Sequence, residues 1–241
     1  MTKYILHKED SRHHEINDWL DSKKTFSFAD YYNPKRIQFG ALRVFNDDIV
    51  QPGKGFGRHP HDNMEIISIP LQGSLIHKDN LGNEGVIKTG DIQIMSTGSG
   101  VFHSEYNYEQ DQATRFLQIW IYPAQLNVTP QYGQLTLNEA SFVNRFGTFV
   151  APQAAADTAW INQDAYLSMG KFAADQSFSY DLKQTGHGAY VYIIDGSIEI
   201  DGYTLSAGDA LGISDTNGFK GQAKSNNTTV LVIDVPMTIQ Q

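Results

Sequence analysis

Three His and two Glu, side chains of the kind that hold metals, fall in two short stretches of this 241-residue chain, which has eight histidines and no cysteine. In GRHPHDNMEI, His59 and His61 stand two apart around Pro60, with Glu65 four residues further on. In GSGVFHSEYN, about forty residues later, His103 and Glu105 repeat the spacing. On a strand that spacing points both side chains to one face, because strand side chains alternate. Two such pairs on neighbouring strands could aim three imidazoles and one carboxylate at a single point inside a barrel. Three nitrogens and one oxygen suit a divalent transition metal and resemble the two-His-one-carboxylate arrangement with one further His. In octahedral coordination two positions stay open, which a catalytic site requires and a structural site does not have. Without thiolates the chain cannot build disulfides, thiolate zinc sites, iron–sulfur clusters or blue copper, so imidazole and carboxylate are its strong ligands.

Pro60 cannot donate to a ladder, which places this segment at a sheet edge, a strand start or a bulge. Glu65 shares strand parity with His59 and His61, so parity leaves Glu65 and Glu105 both eligible as the acidic ligand. His7, His13, His14, His77 and His187 have no ligand-spaced partner. Exposed or hydrogen-bonded roles are expected for all five. His13 and His14, being adjacent, would point to opposite faces of a strand.

The elements that must carry these residues read as strands. Short runs rich in Val, Ile, Phe and Tyr are separated by turn signals every ten residues or so, and the 21 glycines fit that rhythm. Evenly spaced short strands indicate a sandwich or barrel. NDWLDSK and LNEASFVN are the two places where a short helix or irregular turn is expected. An internal repeat is visible. LQGSLIHKDNLGNEGVIKTGDIQIM has a counterpart in IDGSIEIDGYTLSAGDALGI, so Gly73 and Gly90-Asp91 correspond to Gly196 and Gly208-Asp209, at offsets of 123 and 118 residues. The chain is therefore expected to be all-β with two barrels in tandem. Pro123, Pro130 and Gly133 break the strand pattern between them. The division is expected near residue 130, giving a metal-binding barrel over 1–130 and a second over 131–241. Counting back from Gly196 and forward from Gly208 gives Leu182, Gln184, Gly221 and Ala223 where the first half has its histidines and glutamate. None of these is a strong ligand, so the second barrel is expected to hold no metal.

With 18 Lys and Arg against 27 acidic residues, the formal net charge is -9 and no basic block is evident, which disfavours direct nucleic-acid binding. MTKYILHKED does not read as a secretory signal, and no run approaches a membrane helix. A cytoplasmic protein without a membrane partner is expected, and a monomer.

Gly53, five residues, His59-x-His61, three residues, Glu65, then Gly73 resembles the first cupin motif. Gly90, five residues, Ser96-Thr97-Gly98, then His103 and Asn107 resembles the second, with Ser96 where the common pattern has proline. TFSFADYYNP, FGALRVFNDD, GFGRHPHDNMEI, LQGSLIHKDNLGNEG, GDIQIMSTGSGVFHSEYN and LQIWIYP together resemble, in order, the amino-terminal half of pirin-family bicupins over residues 25–123. That resemblance implies two cupin barrels with metal in the first only, and ligands His59, His61, His103 and Glu105. It implies quercetinase activity: cleavage of a flavonol by O2 with loss of carbon monoxide, Glu105 serving as catalytic base. It also implies an alternative, because some family members are regulatory proteins acting through protein partners; a metal-binding co-regulator or sensor is the competing expectation. A cupin isomerase or hydrolase is a third. Iron is expected first as the metal, with Cu, Ni, Co, Mn or Zn also accommodated by such ligands.

Overall fold

The computed structural model describes residues 1–239, and the short apolar runs form strands arranged in four sheets. The first 136 residues carry β1 (Lys3–His7), β2 (His13–Ile16), β3 (Leu20–Lys24), β4 (Leu42–Val50), β5 (Gly55–His61), β6 (Glu65–Gln72), β7 (Ser74–Asp79), β8 (Glu84–Lys88), β9 (Asp91–Ser96), β10 (Val101–Asn107), β11 (Thr114–Ile121) and β12 (Gln131–Thr136). The first barrel closes a seven-stranded sheet, ordered β12-β9-β6-β11-β4-β3-β2, over a four-stranded sheet ordered β5-β10-β7-β8. The second half repeats that plan with another seven-stranded and another four-stranded sheet. The fold is two tandem cupin barrels.

The repeat is exact at its turns in a physical sense. Gly73 has φ +74° and a Cβ there would lie 2.5 Å from Thr114 Oγ1; Gly196 has φ +79° and would meet Thr228 Oγ1 at the same distance. Both turns need the left-handed region and leave no room for a side chain. Of the two expected helical stretches, LNEASFVN contains a 3-10 turn at Glu139–Phe142, whereas NDWLDSK runs into strand β3.

Strand pairing crosses the division expected at residue 130 in two places. β1 pairs with Ala210–Ser214 in the second barrel's sheet, and β12, beyond residue 130, pairs with β9 in the first. Pro130 precedes an edge strand and does not mark the exit from the barrel, since a residue without an N–H is tolerated there.

The two seven-stranded sheets face one another across the largest core. Odd-numbered residues of β6 and β11, among them Ile67, Ile69, Leu117 and Ile119, pack there against Leu167, Tyr190, Leu231 and Ile233 of the second barrel. Even-numbered residues of the same strands turn inward, which is why IISIPL and FLQIWI are apolar nearly throughout: both faces are covered. Polar contacts join the barrels too. Arg115 makes a two-pronged pair with Asp47 at 2.9 and 2.7 Å, and Tyr192 donates to the same carboxylate at 2.7 Å. Inside the second barrel, Phe172, Phe178, Tyr180 and Phe219 belong to a continuous apolar core, with Phe178 directly opposite Gly221. No helix among the described residues is long and apolar enough to cross a membrane.

Candidate metal centre

β5 is the edge strand of the four-stranded sheet and β10 is its neighbour. Their antiparallel register sets His59 opposite His103, His61 opposite Val101, and Pro60 opposite the outward-facing Phe102. An edge position lets Pro60 interrupt the ladder at little cost. Along β10, burial alternates: His103 and Glu105 are 1% and 3% exposed, Phe102 and Tyr106 41% and 38%. After His103 the register slips, so that Glu105 faces Phe56. Such a bulge re-aims side chains. Gly55 permits it, because a Cβ there would lie 2.2 Å from the Glu105 carbonyl oxygen.

The site follows from this register. His59 Nε2 and His103 Nε2 are 3.0 Å apart, and one ring nitrogen from each of His59, His61 and His103 lies within 4.8 Å of the others. His59 Nδ1 is 2.7 Å from Gly57 O. A carbonyl can only accept, so Nδ1 carries the proton and Nε2 keeps its lone pair for a ligand. Burial, then the neighbouring histidines, push His61 down to about 3; His103 falls to about 3 for the same reasons. These imidazoles are neutral at physiological pH, the form that binds metals. Ser68 Oγ donates to Glu105 Oε1 and Gln118 Nε2 donates to Oε2, each at 2.9 Å. Both carboxylate oxygens are thereby oriented, with lone pairs to spare. The donor set, three imidazoles and an oriented carboxylate, fits a divalent transition metal.

His59, His61, His103 and Glu105 line one cavity of about 40 Å³, together with Phe28, Phe56, Ile66 and Trp120. Glu65 is elsewhere. β5 and β6 belong to different sheets, so parity does not carry across the turn between them; Glu65 has the odd parity of Ile67 and faces the second barrel. It accepts from Ser96 Oγ at 2.8 Å and from the Asn162 backbone N–H at 3.1 Å, and burial pushes its carboxyl up to about 7.

His77 departs from its expected exposed or plain hydrogen-bonded role. It is fully buried and sits directly across from Glu105 in the β7–β10 register. With His103 and Glu105 it forms a second group of ligand atoms within 4.8 Å. Its Nδ1 lies 3.4 Å from His103 Nδ1 and 3.1 Å from Gln93 Nε2, while its Nε2 lies 3.2 Å from Asp79 Oδ2. With the proton on His77 Nε2 facing Asp79, the one lone pair of Nδ1 is shared between the Gln93 amide and His103 Nδ1–H, which leaves His103 Nε2 free toward His59. The other four histidines have local roles: His13 stacks on Tyr31, His14 pairs with Asp21, His7 with the Tyr190 hydroxyl, and His187 with Asp234.

A row of polar side chains on the inner face of the large sheet completes the site. Lys24, Asn46, Gln118, Ser68 and Gln93 are consecutive cross-strand partners on β3, β4, β11, β6 and β9. Gln118 and Ser68 hold Glu105, and Gln93 holds His77. Asp48, two residues beyond Asn46 on the same face, is pushed up to about 7, chiefly by burial.

The pirin family profile matches residues 6–121, and a profile described as the quercetinase C-terminal cupin domain matches residues 148–235. A quercetin 2,3-dioxygenase of Escherichia coli is 36% identical over 231 residues, covering 96% of this chain and 98% of that protein. The chain belongs to the pirin family. A pirin-like protein of Caulobacter vibrioides is 40% identical over 198 residues, covering 82% of this pirin and 84% of the relative. The crystal structure of bacterial pirin YhhW from Escherichia coli in complex with nickel(II) superposes with a TM-score of 0.91 at 35% identity, covering 97% of this chain and 99% of that one.

Proposed function

We propose that this pirin is a metal-dependent dioxygenase cleaving flavonols such as quercetin with O2. The observation that carries the reading is the clustering of His59, His61 and His103 within 4.8 Å in a cavity that Glu105 also lines, the two oxygens of Glu105 each being held by a donor from the opposite sheet. All four would hold the metal. A divalent metal there would act as a Lewis acid on the flavonol's enol oxygen and make the substrate reactive toward O2. Iron is our first assignment from the ligand types; the nickel held by the Escherichia coli relative supports a site of this kind without choosing among metals. The chain's own residues do the rest. Glu105 accepts the proton of the flavonol hydroxyl, with Ser68 and Gln118 keeping its oxygens in place. His61 and His103, neutral at physiological pH, add no charge of their own, and the positive charge of a bound metal would favour a bound enolate. Phe28, Phe56 and Trp120 exclude water and offer ring faces to an aromatic substrate.

One observation favours the second reading, a non-catalytic metal-binding sensor or co-regulator. The cavity of about 40 Å³ is far below the roughly 300 Å³ of ordinary ligand pockets, so a flavonol enters only if lining side chains move. Phe28 lies outside the named strands, edge-on to Trp120 at 5.1 Å. Oxygen uptake with quercetin by the metal-replete protein separates the readings: uptake supports the dioxygenase, and none with any tested metal supports the sensor.

A further inference from the structure

The polar row has an unexplained end. Gln93, Ser68 and Gln118 each hold a residue of the proposed centre. Asn46 and Asp48 are 2% and 3% exposed and line the same cavity, yet Asn46 Oδ1 and Asp48 Oδ1 have no hydrogen-bond partner. Trp120 Nε1, on a third residue lining that cavity, is equally unpartnered. Leaving a buried polar group unpaired costs about 1–3 kcal/mol, so three around one cavity point to a partner from outside the chain. Two acceptors and one donor set its chemistry. Hydroxyl groups can donate to Asn46 and Asp48, and a hydroxyl or carbonyl oxygen can accept from Trp120. A carboxylate or phosphate would face the two acceptors and Glu105, and is disfavoured. The rings of Phe28, Phe56 and Trp120 beside these atoms suit a flat apolar body. We propose that Asn46, Asp48 and Trp120 form a polar subsite that receives ring hydroxyls of a polyhydroxylated aromatic substrate, separate from the hydroxyl that meets Glu105. The subsite decides between heavily and sparsely hydroxylated flavonols, and it rests on the flavonol reading above.

The test is binding without turnover. Metal-loaded protein is titrated anaerobically by calorimetry with quercetin and with 3-hydroxyflavone, which keeps the reacting hydroxyl and lacks the ring hydroxyls. The wild type is expected to bind quercetin about 10- to 100-fold more tightly, the size of one or two buried hydrogen bonds. In Asn46→Val and Asp48→Val, which each remove the acceptor, that ratio should shrink severalfold with metal content unchanged, and it should shrink as well in Trp120→Phe, which removes the donor and keeps an aromatic ring. A wild-type ratio near one, binding of neither flavonol, or variants that keep the wild-type ratio would overturn the subsite. Loss of both ligands together in all three variants would also overturn it, showing a structural role only. Oxygen uptake on the same samples keeps the two claims apart: discrimination without uptake leaves the subsite standing and removes the dioxygenase, while uptake without discrimination does the reverse.

Discussion

Replacing His77 by leucine should weaken metal binding although His77 is not among the four proposed ligands. The side chain is fully buried and touches His103, Gln93 and Asp79 at 3.4, 3.1 and 3.2 Å. Leucine removes the acceptor that fixes the proton on His103 Nδ1, so the ring is free to turn or to protonate Nε2 instead. Loss of a partner that orients a metal-bound histidine costs about 10- to 100-fold in affinity, or about 1.4–2.7 kcal/mol. Gln93 also loses a partner, which should cost the fold about 1–3 kcal/mol, whereas Asp79 keeps its hydrogen bonds from Leu81 and Asn83. Competition against a chelator gives the metal Kd, and thermal melting of metal-free protein gives the stability term separately. His77→Gln, whose amide oxygen can still accept from His103, should recover part of the affinity. A folded His77→Leu protein with a metal Kd within about threefold of the wild type would refute the reasoning.

Other perturbations reach different parts of the site. Glu105→Gln should retain partial metal but lose about 10²- to 10⁴-fold in flavonol turnover, followed by oxygen consumption; equal cleavage by both proteins would remove Glu105 as the base. Phe28→Ala should speed anaerobic flavonol association at unchanged metal content, because it removes a ring that lines the cavity edge-on to Trp120 and lies outside the named strands; an unchanged association rate would mean that entry lies elsewhere. Glu65→Gln should change how stability depends on pH. The Glu65 carboxyl is raised to about 7 in the fold from 4.5, so its contribution is complete below pH 4.5 and is lost as pH rises through about 7. Wild-type metal-free protein should therefore lose up to roughly 3 kcal/mol relative to Glu65→Gln between pH 4.5 and 8, read by denaturant melts; parallel profiles would show that Glu65 does not titrate in that window.

Much of the site was legible because β10 obeys the two-residue period: His103 and Glu105 alternate with exposed Phe102 and Tyr106. The tandem barrels were legible in the paired glycine turns at Gly73 and Gly196. What stayed hidden depends on how strands are partnered. Glu65 kept the parity of His59 and His61 in sequence, but the turn between β5 and β6 carries the chain into another sheet, where the count restarts. His77 has no ligand-spaced neighbour and enters the site only through the β7–β10 register. Ser68 and Gln118 look like single polar interruptions in apolar runs, and only cross-strand pairing shows them as neighbours. β12 lies beyond prolines that read as a linker, yet its Tyr132 stacks on His77 at 4.9 Å. Local spacing records which residues share a face; it does not record which faces meet.

The most direct measurement is oxygen consumption and carbon monoxide release with quercetin, made on protein of known metal content. Metal-replete wild type should consume O2 and release carbon monoxide in step with flavonol loss, and His59→Ala and His103→Ala should lose both metal and activity. A wild-type protein that binds metal at His59, His61, His103 and Glu105 but leaves quercetin and O2 untouched with iron, copper, nickel, cobalt, manganese and zinc would contradict the dioxygenase assignment.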